Sequence, residues 1–102
     1  MKLILVDYQD KGCIEYNKCG AIAVIDTSII VNVDGQPIIL AKFDDQQTTN
    51  SVYKKFIRDV EKIKKGEYYA YAYRFSKFFH KGKVVKFNKK VNDFTNKKEG
   101  IQ

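Results

Sequence analysis

The stretch Ile29-Ile30-Val31-Asn32-Val33-Asp34-Gly35-Gln36-Pro37-Ile38-Ile39-Leu40-Ala41-Lys42-Phe43 decides the fold. Two apolar runs rich in β-branched residues flank Asp34-Gly35, a pair that accepts the positive φ values of a tight turn. The stretch therefore predicts a β-hairpin. Pro37 has no N–H for a ladder, which puts it at the start of its strand or on an open edge. Upstream, Ala21 to Ile25 predicts a further strand. Leu3 to Val6 is apolar at consecutive positions, so a strand there is buried on both faces, in the middle of a sheet. Gln9 to Gly12 reads as a turn, and Ile14 to Tyr16 as a short strand that Asn17-Lys18 turns back into Ala21 to Ile25.

Downstream of the hairpin, residues 44–48 are polar and predict a loop. Thr49, Asn50 or Ser51 offers a helix cap and Gly66 a helix stop. Between them Val52, Tyr53, Phe56, Ile57, Val60 and Ile63 recur at three- and four-residue spacing, one apolar stripe over about residues 50–65. Lys54, Lys55, Arg58, Glu61, Lys62 and Lys65 occupy the other side. After Gly66 the period becomes two: Tyr69, Tyr71, Tyr73 and Phe75 alternate with Tyr68, Ala70, Ala72 and Arg74, as on a strand. His80-Lys81-Gly82-Lys83 predicts a turn, and Val84 to Phe87 a returning strand. The expected fold is α+β: a mainly antiparallel sheet of five or so strands packed by one amphipathic helix, in the order β-β-β(-β)-α-β-β. Residues 1–91 make a single domain, and the polar, lysine-bearing residues 92–102 a frayed C-terminal tail.

A chain of 102 residues with 44% apolar side chains can bury a core without help from disulfides or metal. Cys13 and Cys19 are its two cysteines and His80 its one histidine, too few and too scattered for a four-ligand zinc site. The cysteines admit either a short disulfide across a hairpin or two free thiols in a reducing compartment. Asp7, Asp10 and Glu15 have no spacing that separates a Mg²⁺ site from solvated loop acids. No metal and no cofactor is expected. No apolar run approaches the ~20 residues of a membrane span or the pattern of a signal peptide, so no membrane partner is expected and the cytoplasm of the producing or host cell is the default.

Charge is divided along the chain. Residues 1–52 carry four Lys against seven Asp and Glu, a net −3; residues 53–102 carry fifteen Lys and Arg against five acids, a net +10. The second half also holds eleven of the fourteen Tyr and Phe. Cations interleaved with flat rings suit a polyanion that offers rings to stack on, which is single-stranded nucleic acid. The candidate contacts are Tyr69, Tyr71, Tyr73 and Phe75 for stacking, with Arg74, Lys77, Lys81, Lys83 and Lys86 for phosphate. Seventeen Lys against two Arg argue against bidentate base reading, so recognition would be indifferent to sequence.

Other readings stand beside this one. The tyrosine row serves equally as core against Phe56 and Val60, or as the buried patch of a dimer or protein complex. The lysines serve equally as a solvated surface. A non-catalytic binding module is the leading reading. A protein-binding adaptor or inhibitor acting on a host enzyme is the alternative, and the Lys-, Asn- and Ile-rich composition fits a small phage or mobile-element protein. A small ribonuclease using His80 with Arg74, Lys77 and Lys81 is the weaker alternative, since no second histidine or acid partner accompanies it. No phosphate-binding glycine loop, nucleophile elbow or helix-turn-helix spacing occurs.

Overall fold

The computed structural model of the chain describes residues 2–85 and 96–97. Strands β1 (Ile4–Val6) and β2 (Cys13–Glu15) precede a meander of β3 (Ile22–Ile25), β4 (Ser28–Val33) and β5 (Gln36–Lys42). Helix α1 (Gln46–Lys64) follows, then β6 (Tyr68–Tyr69), β7 (Ala72–Arg74), a 3₁₀ turn over Phe75–Phe78, β8 (Phe79–His80), β9 (Lys83–Val84) and β10 (Asn96–Lys97).

The Asp34-Gly35 hairpin forms as its residues require. Asp34 and Gly35 both take positive φ, 53° and 79°, and Val33 pairs with Gln36 across the turn. Pro37 sits second in β5, an edge strand of the β3-β4-β5 sheet. A second tight turn at Asp26 (φ 54°) joins β3 to β4. The pleat gives this meander two faces. Ile29, Val31, Leu40 and Ala41 are buried inward, whereas Ile25 and Ile39 face outward, 54% and 46% exposed.

The expected single sheet is corrected. Among the described residues the strands form four sheets of two or three strands each, and their order differs from a simple meander. Three sheets are antiparallel: β3-β4-β5, β6-β10 and β8-β9. The fourth, β2-β1-β7, pairs β1 antiparallel with β2 and parallel with β7. A parallel pair needs a long crossover, and the meander plus α1 supplies it. Here β2 pairs with β1 and not with β3. Buried Leu5 does lie in the middle of its sheet. The two three-stranded sheets meet where the Tyr8 N–H donates to the Leu40 carbonyl at 2.8 Å.

Helix α1 starts earlier than the apolar stripe suggests, and Asp45 caps it instead of Thr49, Asn50 or Ser51. The Asp45 carboxylate accepts from the Thr48 N–H at 2.6 Å and from the Thr48 hydroxyl at 3.0 Å. Residues 46–48, read as loop, are its first turn, because a good cap extends a helix through polar residues that carry no hydrophobic signal. At the far end Gly66 (φ 78°) terminates it as expected. The Gly66 N–H donates to Ile63 O at 3.1 Å and the Glu67 N–H to Lys62 O at 2.9 Å, the reciprocal pair of a Schellman cap.

The helix buries Val52, Phe56, Val60 and Ile63. Phe56 meets Tyr73 edge-on at 5.1 Å between ring centroids, and Phe75 at 5.4 Å. One acid lies in this apolar seam. Asp59 is 5% exposed, and its Oδ2 accepts from the Tyr73 hydroxyl at 2.6 Å and from Lys55 Nζ at 3.0 Å. A buried carboxylate is tolerated only when partnered in this way, and losing a partner leaves a desolvated charge. Tyr73→Phe is therefore expected to lower the unfolding free energy by about 1–3 kcal/mol, more than the roughly 1 kcal/mol of Asp45→Ala. Urea denaturation of both variants checks the order; a neutral Tyr73→Phe would show that the bond does not hold the helix in place.

Candidate nucleic-acid interface

The row Tyr69, Tyr71, Tyr73, Phe75 is not one strand face. Ala70-Tyr71 breaks the chain between β6 and β7, and Phe75 opens the 3₁₀ turn. Tyr73 and Phe75 are fully buried in the core beside Phe56, with rings 5.4 Å apart, so neither offers a face to a ligand. Tyr69 and Tyr71 are exposed, 43% and 70%, and pack edge to face at 5.1 Å and 82°. A four-ring platform is thus corrected to a two-ring one. Tyr71, through its hydroxyl, holds the Tyr69 phenol above its ordinary value of 10.0, with burial a smaller cause. A phenol is neutral at physiological pH even at its ordinary value, so Tyr69 does not repel phosphate.

The candidate cations separate as well. Lys77 lays its ammonium 4.2 Å from the Tyr73 ring centroid and 5.1 Å from that of Phe78, so it supports core rings instead of reaching for a phosphate. Arg74 Nη1 lies 3.5 Å from Asp10 Oδ1, an exposed ion pair that draws on its charge. Lys81 (φ 52°) and Lys83 are exposed on the β8-β9 turn, as that turn was expected to place them. Lys86 lies outside the described residues, as do Phe87 and the tail apart from the Asn96–Lys97 strand, which pairs with β6.

These groups lie at two ends of the molecule. Strand β1 is preceded by Leu3, whose carbonyl accepts from the Tyr16 N–H at 2.8 Å, and followed by Tyr8, whose ring sits 5.3 Å from Phe79. Because β7 runs parallel to β1, Tyr69 and Tyr71 fall at the first end, and the β8-β9 turn with Lys81 and Lys83 at the second. The first end is also where α1 finishes. There Lys62 Nζ lies 3.2 Å from the Tyr68 hydroxyl and 5.0 Å from its ring centroid, and Lys64 Nζ 5.4 Å from the Tyr16 ring. Lys54, Arg58, Lys62 and Lys65 are exposed along the helix at near-helical spacing, a cationic row leading to that end.

The second end holds a cleft lined by Tyr8, Gln9, Asp10, Ser76, Phe79 and Gly82. Asp10 stands at positive φ (57°), and its Oδ1 accepts from the Ser76 hydroxyl at 3.0 Å. The sequence reading missed Ser76, Gln9 and Tyr8 because nothing local links residues 64 to 71 positions apart; the positive-φ-tolerant Asp10 before Lys11-Gly12 was the available signal. His80 is exposed in β8 opposite Lys83, and among the described residues no carboxylate partners it. Cys13 and Cys19 are free thiols, and burial pushes the Cys19 thiol up. Among the described residues no group of three His, Cys, Asp or Glu is placed to hold a metal, and no helix is long and apolar enough to cross a membrane.

No protein-family model matches the chain, and neither a curated protein nor a solved structure is significantly similar to it.

The tyrosine pair carries its own test. Followed by NMR of its ring signals, Tyr69 should ionise at a higher pH than free tyrosine, and Tyr71→Phe should lower that pH toward the ordinary value. An unchanged titration in the variant would mean that the two hydroxyls do not interact.

Proposed function

We propose that the chain is a small non-catalytic module that binds single-stranded nucleic acid with little sequence preference, through the end of the molecule where α1 finishes. The observation that carries this reading is the exposed Tyr69–Tyr71 pair beside an end crowded with lysines. Two adjacent rings take one or two unstacked bases, and base–aromatic stacking contributes ~1–3 kcal/mol per base. Lys62, Lys65, Arg58 and Lys54 take successive phosphates. The contacts of Lys62 and Lys64 with Tyr68 and Tyr16 hold those long side chains part-ordered before a ligand arrives, which lowers the entropic cost of binding. A duplex offers no free ring faces and would be bound by charge alone.

Fluorescence anisotropy with labelled single-stranded DNA and RNA tests the reading. Affinity should fall steeply with added salt, since each phosphate contact releases a counterion. Tyr71→Ala should weaken binding about tenfold at fixed salt, and Lys62→Glu with Lys65→Glu should abolish it. Binding that ignores these three changes would place the contact surface elsewhere.

One observation favours a second reading, a protein-binding adaptor or inhibitor. Ile25, Ile30 and Ile39 share the outer face of the β3-β4-β5 meander, with Ile30 paired to Ile39 across the strands. An apolar contact there would survive salt that strips a nucleic acid from the lysines.

A further inference from the structure

The cleft at the second end, about 450 Å³ in volume, is of the size that takes a small planar ligand. Two aromatic rings line it, Phe79 and Tyr8 at 5.3 Å from each other, and Phe79 is stacked parallel on Phe43 at 5.2 Å and 12°. Asp10 lines the cleft as well. One oxygen of that carboxylate, Oδ1, is occupied by the Ser76 hydroxyl at 3.0 Å and by Arg74 at 3.5 Å. Among the described residues the other oxygen, Oδ2, accepts no hydrogen bond. A carboxylate oriented by two donors, with one acceptor oxygen left in a cleft lined by aromatic rings, is prepared for a flat ring that carries an N–H donor on its edge.

We propose that this cleft binds a nucleobase bearing an exocyclic amino group, the ring stacked on Phe79 and the amino group donating to Asp10 Oδ2. The inference rests on the nucleic-acid reading proposed above and adds to it one base-selective position at the opposite end. A cationic amine is the less suitable ligand, because Arg74 already neutralises Asp10 and the exposed Lys81 and Lys83 flank Gly82 at the rim. Those same lysines suit the phosphate of a nucleotide. Cytosine and uracil make the sharpest comparison, since they differ at the position that would face the carboxylate. Cytosine presents an amino donor there; uracil presents a carbonyl, whose lone pairs are repelled by the carboxylate.

Calorimetry or NMR titration with cytidine 5′-monophosphate and uridine 5′-monophosphate tests this. The cytidine nucleotide should bind about tenfold more tightly, the discrimination expected of one good amino–carboxylate contact. Asp10→Asn is the diagnostic variant. Asn tolerates the left-handed backbone at this position and presents both a donor and an acceptor, so the ratio between the two nucleotides should fall to about one. Ser76→Ala, which frees the carboxylate to turn, should reduce the ratio part of the way. Equal binding of the two nucleotides by the unaltered protein, an unchanged ratio in Asp10→Asn, or no binding of either would overturn the proposal. Its failure is separable from that of the tyrosine–lysine interface. Oligonucleotide binding that survives Asp10→Asn and shows no preference for cytosine removes the cleft alone. Cytidine nucleotide binding without salt-sensitive oligonucleotide binding removes the interface alone.

Discussion

Asp59 places a carboxylate in the middle of the apolar seam between α1 and β7, where it binds the Tyr73 hydroxyl at 2.6 Å and the Lys55 ammonium at 3.0 Å. Most of the architecture follows from that contact. It fixes which way Tyr73 points, and alternation along β7 then turns Arg74 outward, while Tyr71 is exposed because it lies in the break before β7. It also sets the height of the helix against β7, and β7 in turn pairs in parallel with β1. A Phe at 73 could fill the same volume, but a charged group cannot be buried in several alternative packings. The polar bond therefore selects one arrangement from the many that an all-apolar seam would allow, with the Lys77 ammonium over the same ring, 4.2 Å from its centroid.

The chemistry is consequently divided between the two ends of β1. At one, the helix finishes in lysines beside exposed tyrosines; at the other, Asp10, Ser76 and Phe79 enclose a cleft. The charge division along the sequence does not map onto this division in space. Arg74 from the basic half neutralises Asp10 from the acidic half, across 64 residues. The outer helix face and the β8-β9 turn each keep exposed lysines, Lys54, Lys62 and Lys65 on the first and Lys81 and Lys83 on the second.

The elements that the sequence made legible are those encoded locally. Asp34-Gly35 needs positive φ at both residues and could hardly be anything but a turn; Gly66 closes the helix for the same reason. The stripe from Val52 to Ile63 marks the helix, and His80-Lys81-Gly82-Lys83 marks the last hairpin. What could not be seen depends on distant partners. The parallel pairing of β1 with β7 has no local signature, and it is what prevents a single antiparallel sheet. The alternation of Tyr69 to Phe75 looked continuous because a break at Ala70-Tyr71 is made by backbone pairing to Ile4, not by a turn residue. Asp59 was visible as a residue three positions after Phe56 and four before Ile63. An acid at that point of an apolar stripe announces a buried partner, and the tyrosines after Gly66 offer hydroxyls for it, although nothing local selects Tyr73 among them.

The measurement that bears most directly on the division between core and contact rings is NMR mapping of tyrosine and phenylalanine ring signals during titration with a short single-stranded oligonucleotide. Tyr69 and Tyr71 should shift and broaden with the nearby Lys62 and Lys65 signals, while Tyr73 and Phe75 stay fixed behind the helix. Movement of Tyr73 and Phe75 together with the exposed pair would contradict the buried Asp59–Tyr73 tie. Shifts confined to Ile25, Ile30 and Ile39 would contradict the proposed interface itself.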